Sequence, residues 1–238
     1  MEIKAIKTDV FQENGDLIAF ILRYVKKISE QSVLIVTSKI VALAEGRIDG
    51  DTSFKNKKYL VEKESSFATK TKYTWLTIKD NTIMAAAGID ESNADGKFIL
   101  LPKNSFASAK KVRSTLCRHF HLRNLGIIIS DSGLLPLRKG VIGMARGYAG
   151  FQGLKSYKGR KDIFGKKFVY SSIDLADSLA TAAIVCMGEG NECTPLALIT
   201  EAPVFFAKKI NKKELHINPK EDIFYPLLKN IHAKRKQK

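Results

Sequence analysis

The apolar positions of the chain fall into two rhythms. Unbroken apolar runs bounded by polar residues predict strands. They occur at Ser32–Thr37, Ile127–Ser130 and Leu196–Thr200, with a shorter one at Phe98–Leu101 stopped by Pro102. Ile3–Val10 and Phe168–Ser172 also read as strands. Trp75–Lys79 and Thr82–Ala87 form a hairpin across Asp80-Asn81, a pair that tolerates positive φ. A three-to-four spacing predicts helices. One covers Asp16–Ile28, with Leu17, Ile21, Val25 and Ile28 on one stripe and Asn14 or Asp16 as cap. A second covers Phe106–Phe120 after a Ser105 cap. A third, Ala-rich, covers Asp174–Met187 and stops at Gly188-Glu189-Gly190. Asp51–Lys72 is polar and weakly patterned, with a short helix over Tyr59–Phe67. Glu221–Asn230 predicts a last short helix in which Pro226 argues for a break. Strands and helices mix without a strict βαβ alternation, so the expected class is α+β, or an irregular α/β.

Composition narrows the function classes. The 238 residues are 45% hydrophobic, enough to bury a core. No apolar run reaches membrane-spanning length and the N-terminus lacks a signal-peptide pattern, so no membrane partner is expected. The three cysteines lack CxxC spacing, which points to a reduced, cytoplasmic setting. His119 and His121 are two apart and do not share a helical face, so zinc is not expected. The net charge of +16 suits nucleic acid, a membrane surface or small polyanions. Much of it is local, in Lys208–Lys213 and in the tail from Lys229 to Lys238. Nucleic-acid binding calls for exposed aromatics among basic residues. Here many aromatics sit inside apolar runs, which disfavours a nucleic-acid partner.

The candidate chemistry lies at the ends of strands. Ile127–Ser130 stops at Asp131-Ser132-Gly133, and the second strand of the hairpin runs into Gly88-Ile89-Asp90. Glu189 supplies a third acid after a helix. Oxygen donors of this kind suit magnesium or manganese, which share their coordination with substrate phosphates. Ser38-Lys39 at the end of a strand suits a phosphate, and equally a helix cap with a surface charge. Glycines from Gly140 to Gly165 alternate with Arg138, Lys139, Arg146, Arg160 and Lys161, a pattern suited to an anionic ligand or to a bent β region with a basic face. Gly159–Lys167 imitates a P-loop but has five residues between its glycines and Lys167 in place of the hydroxyl residue.

These residues resemble the coenzyme F420-0:L-glutamate ligases, the γ-glutamyl ligases. The resemblance rests on Val36–Val41 with Ala44-Glu45-Gly46-Arg47, and on Ala87–Asn93. It continues through Leu100-Leu101-Pro102, Gly126–Ser132 and Arg138-Lys139-Gly140, then Gly159-Arg160-Lys161-Asp162 with Gly165, Ala176-Asp177 and Met187–Gly190. It covers residues 1 to about 202, leaving 203–238 as a basic C-terminal extension. It implies two α/β subdomains intertwined in a homodimer, and a GTP-dependent ligase with two Mg2+ or Mn2+ ions and K+. An acceptor carboxylate becomes an acyl phosphate, which the amine of L-glutamate attacks. Asp90 and Asp131 are then the catalytic metal ligands, joined by Ser132 and Glu189. Ser38, Lys39, Ser132, Arg160 and Lys161 face the nucleotide. Three departures stand out: Ala42-Leu43 before Ala44-Glu45-Gly46, Gly133-Leu134-Leu135 where Asn-Gly-Arg is usual, and Ser178 where an acid is usual. They leave the acceptor open between F420-0 and a folate, the substrate of bacterial relatives, and leave a catalytically inactive binding protein as a third reading.

Overall fold

The unbroken apolar runs are the middle of a sheet covered on both faces. In the computed structural model, which describes residues 1–228, the elements in chain order are β1 (Glu2–Ile6), α1 (Leu17–Tyr24), β2 (Ser32–Thr37), α2 (Ser38–Ala44), β3 (Ile48–Asp49), α3 (Phe54–Glu64), β4 (Phe67–Lys70), β5 (Trp75–Lys79) and β6 (Thr82–Ala85). A single 3-10 turn, Ala86–Gly88, follows. Then come β7 (Phe98–Ile99), α4 (Ser105–His119), β8 (Leu125–Leu134), β9 (Val141–Ala149), β10 (Leu154–Ser156), β11 (Ser172–Asp174), α5 (Leu175–Met187) and β12 (Leu196–Thr200). The fold is α+β, as expected. The chain divides into two compact units: residues 1–47 with 102–215, and residues 48–101 with 216–228.

The first unit holds a five-stranded sheet in the order β1-β12-β2-β8-β9. Only β2 and β8 are parallel, with Leu34 opposite Ile127 and Val36 opposite Ile129. The strand period of two sends Leu34, Val36, Ile127 and Ile129 to one face, where Ile21, Val41, Val112 and Leu116 from α1, α2 and α4, with Val25 just after α1, cover them. Val33, Ile35 and Ile128 point the other way, against Leu179, Ala180 and Ala183 of α5. A strand covered on both sides has no polar phase, which is why these runs are unbroken. Each such Val or Ile stabilises the fold by about 2 kcal/mol relative to exposure.

In the second unit, β4-β5-β6 form an antiparallel meander and β3 pairs with β7. The hairpin turn at Asp80 and Asn81 has φ of 48° and 61°, as its sequence demands. Leu60, Val61, Trp75, Ile89, Phe98 and Leu100 make the core of this unit.

Several expectations shift. β1 ends at Ile6 instead of Val10, and α1 ends at Tyr24 instead of Ile28. Asp16 caps α1 through Ile18 N–H and Ala19 N–H. Asn104, not Ser105, caps α4 by accepting from Ala107 N–H. The polar stretch after Asp51 folds as α3, which starts at Phe54 where Ser53 caps it, and then as strand β4. Polar side chains outnumber apolar ones there because α3 buries only Leu60 and Val61. The strand expected at Phe168–Ser172 lies at Ser172–Asp174. Residues 225–228 are helical, and Lys229 onward, which holds the basic tail, lies outside the described residues. No helix of the described residues is long and apolar enough to cross a membrane.

Candidate active site

The largest correction concerns β8. It does not stop at Ser130 but runs on through Asp131-Ser132-Gly133 to Leu134. Its parallel partner β2 does stop, at Thr37 opposite Ser130. Asp131 and Ser132 therefore stand past the end of β2, flanked only by β9. There the chain turns into α2, and Ser38, its first residue, donates from Oγ to Asp131 Oδ1 at 2.9 Å. Ser38 thus neither caps α2, whose N-cap is Thr37, nor sits as a surface hydroxyl. It is buried and orients the carboxylate. The Thr37 hydroxyl is buried with no hydrogen-bond partner among the described residues.

The glycine-bent region is strand β9, and its register explains the rest. Ile129 pairs with Gly147, but Ser130 pairs with Ala145, so Arg146 is an extra residue at a bulge. The bulge turns its side chain into the site, where it is 7% exposed. Arg146 Nε donates to Asp131 Oδ2 at 3.3 Å, and an Nη to the Ser132 carbonyl at 3.2 Å. β9 lies tight against its supports. A Cβ on Gly143 would stand 2.3 Å from the Ala180 carbonyl, and one on Gly147 2.4 Å from the Phe106 nitrogen. Asp177 accepts from Ala145 N–H at 2.8 Å and Thr181 Oγ donates to the Gly143 carbonyl at 2.8 Å, tying the bulge to α5.

Behind the bulge lies an acid pair. Asp174 caps α5 by accepting from Asp177 N–H at 2.9 Å. Burial pushes the Asp174 carboxyl up to about 6, and burial also raises Asp177. At the other end of α5, Ser132 Oγ lies 2.8 Å from both carboxylate oxygens of Glu189. The structure thus brings together Ser38, Asp131, Ser132, Glu189 and Arg146. Arg160 and Lys161 lie elsewhere in the unit, on the exposed excursion between β10 and β11. Arg160 N–H bonds the Tyr157 carbonyl, its guanidinium rests 5.5 Å from the Tyr157 ring, and Lys161 bridges to Lys167. Lys39 follows Ser38 in the first turn of α2.

Asp90 lies in the second unit. It does not end strand β6, which stops at Ala85. Ala86, Ala87 and Gly88 follow with φ of 45°, 56° and 73°. Two alanines in the left-handed region store about 1 kcal/mol or more each. The buried Thr77 hydroxyl holds the turn, accepting from Ala87 N–H at 2.9 Å and donating to the Met84 carbonyl at 2.7 Å. Asp90 then exchanges backbone hydrogen bonds with Ile99, and its Oδ1 accepts from the N–H and hydroxyl of Ser92, each at 2.7 Å.

No cluster of three or more His, Cys, Asp or Glu groups fit for a metal occurs among the described residues. Asp131, Glu189 and the hydroxyls of Ser132 and Ser38 are all hard oxygen donors. They fit an ion that draws its remaining ligands from water and phosphate, and not an all-protein cage. Arg146 is the residue that sequence reasoning passed over, counting it only among basic groups between glycines. No simple alternation marks it, because the bulge at Arg146 puts Met144, opposite Asp131, and Tyr148, opposite Ile128, on different faces of the sheet.

A family model described as F420-0:Gamma-glutamyl ligase matches residues 5–201. A coenzyme F420:L-glutamate ligase of Methanococcus maripaludis is 40% identical over 146 residues, 61% of this chain and 58% of that protein. The same-named protein of Methanocaldococcus jannaschii is 40% identical over 147 residues, with the same coverage of each. That of Archaeoglobus fulgidus is 26% identical over 235 residues, 91% of this chain and 93% of its own length. The alignment thus spans little more than half the length of the two methanogen relatives.

Proposed function

The chain belongs to the F420-0:gamma-glutamyl ligase family, and from that premise we propose that it joins the amine of L-glutamate to an acceptor carboxylate at the expense of GTP. The supporting observation is the Asp131-Ser132-Glu189 edge beside a buried arginine, an arrangement suited to polyphosphate. Two half-reactions account for the product. The acceptor carboxylate oxygen takes the terminal phosphoryl group, releasing GDP. The amine nitrogen then attacks the acyl carbon, phosphate leaves, and the nitrogen loses a proton. Asp131, Ser132 and Glu189 would hold the divalent ion. When bound, it neutralises charge on the phosphate oxygens during transfer. Ser38 fixes the Asp131 carboxylate, and a site so ordered spends less free energy on reorganisation during the reaction. K+ joins as an activator in this reading. F420-0 is the first candidate acceptor, in keeping with the names of the relatives.

The test measures GDP release and amide product with GTP, Mg2+, L-glutamate and either F420-0 or a reduced folate. The expected result is GDP release that requires an acceptor, with kcat lowered about 100-fold in Glu189→Gln, the scale for losing one electrostatic stabiliser. Product with folate alone would move the acceptor assignment to folates. Absence of turnover with both acceptors, in protein that stays folded, would overturn the ligase reading.

A further inference from the structure

A divalent ion at Asp131 meets a competitor already in place. Arg146 donates to Asp131 Oδ2 at 3.3 Å and to the Ser132 carbonyl at 3.2 Å, with its side chain 7% exposed. The β9 bulge sets the backbone at this point, with Ala145 N–H on Asp177 and Gly147 against the start of α4. Held by two acceptors and largely screened from water, this guanidinium is placed differently from a surface lysine.

We propose that Arg146 is a resident cation of the site that shares Asp131 with the divalent ion and holds the affinity of the bare protein for that ion low. The idea rests on the metal reading above. A like charge next to a ligand disfavours cation binding, and a site screened from water feels this more strongly. Phosphate reverses the balance, because it brings negative charge for both cations at once. Divalent ions then bind well only with the nucleotide, and Arg146 acts as a positioning residue through Asp131.

The experiment titrates the full chain with MnCl2 alone and follows free Mn2+ by electron paramagnetic resonance. Arg146→Gln removes the charge and keeps a hydrogen-bonding head. It should bind Mn2+ about tenfold tighter or more. Arg146→Lys keeps the charge and should stay within about threefold of the parent protein. Arg146→Met, an apolar chain of similar reach, serves as a second neutral variant, and circular dichroism confirms folding in each. A folded neutral variant that binds Mn2+ no tighter than the parent protein would overturn the inference. Asp131→Asn in the Arg146→Gln background separates the two levels. Loss of the tighter binding ties it to Asp131. Mn2+ binding indifferent to both Asp131→Asn and Glu189→Gln would remove the metal reading, and the Arg146 inference with it.

Discussion

Asp131 and Asp90 are aspartates of the same expected role, set in different backbone contexts. Asp131 takes its partners from far along the chain: Ser38 lies 93 positions away and Arg146 lies 15 away, across a strand pair. The Asp90 carboxylate accepts from Ser92 N–H and hydroxyl two positions on, after a turn held by Thr77, and its backbone pairs with Ile99 nine positions on. The first carboxylate is set against a buried positive charge, the second in an Asx-type turn. A long-range assembly fails when any one strand or helix moves. A local turn tolerates changes that keep its hydrogen bonds.

The most direct way to sharpen this contrast is to neutralise each carboxylate. Asp131→Asn removes the ion-pair partner of Arg146, leaving Asp177 as a neighbouring acid that still acts on it, and should cost about 2 kcal/mol of stability in denaturant unfolding. Adding Arg146→Gln should recover much of that loss, the signature of a coupled pair. Asp90→Asn keeps the acceptor that bonds Ser92 and should cost less than Asp131→Asn. Equal losses at the two positions would erase the distinction.

A comparable effect should come from the support behind Asp131. Gly147→Ala drives a Cβ to 2.4 Å from the Phe106 backbone nitrogen, so β9 must shift from α4. A loss of about 1–3 kcal/mol is expected. The same change should weaken Mn2+-dependent protection of the Asp131 edge in hydrogen exchange while leaving the Thr77 turn unchanged. Loss of protection at both places would show that Asp90 is not independently built.

The smallest effect is a pH dependence of the bulge support. The Asp174 carboxyl is held at about 6, above its ordinary 3.8, chiefly by burial. A folded value above the unfolded one favours the folded state at low pH. That contribution is complete below about pH 4 and is lost as pH rises through about 6. Asp174→Asn keeps the cap on α5 and removes the titration. Relative to the parent protein, its melting temperature should therefore rise by a degree or two, roughly, between pH 4 and pH 7, a small shift because the group is partly solvated. A constant difference across that range would exclude Asp174 as the titrating group.

The sequence determined by itself whatever depends on neighbours along the chain. The unbroken apolar runs of β2, β8 and β12, the Asp80-Asn81 hairpin and the Ala-rich α5 were legible because strand period, turn chemistry and helix periodicity act over a few residues. Family motifs likewise brought Asp131, Ser132 and Glu189 forward, since each is marked by adjacent glycines and hydroxyls. Only the tertiary structure decided what surrounds them. β8 runs past Ser130 because β9 continues to pair with it, which no local pattern records. Ser38 became a partner of Asp131, not a cap, because parallel pairing of β2 with β8 places the start of α2 beside that carboxylate. Arg146 entered the site through one extra residue in β9, and a bulge is a property of two strands in register, not of either sequence alone.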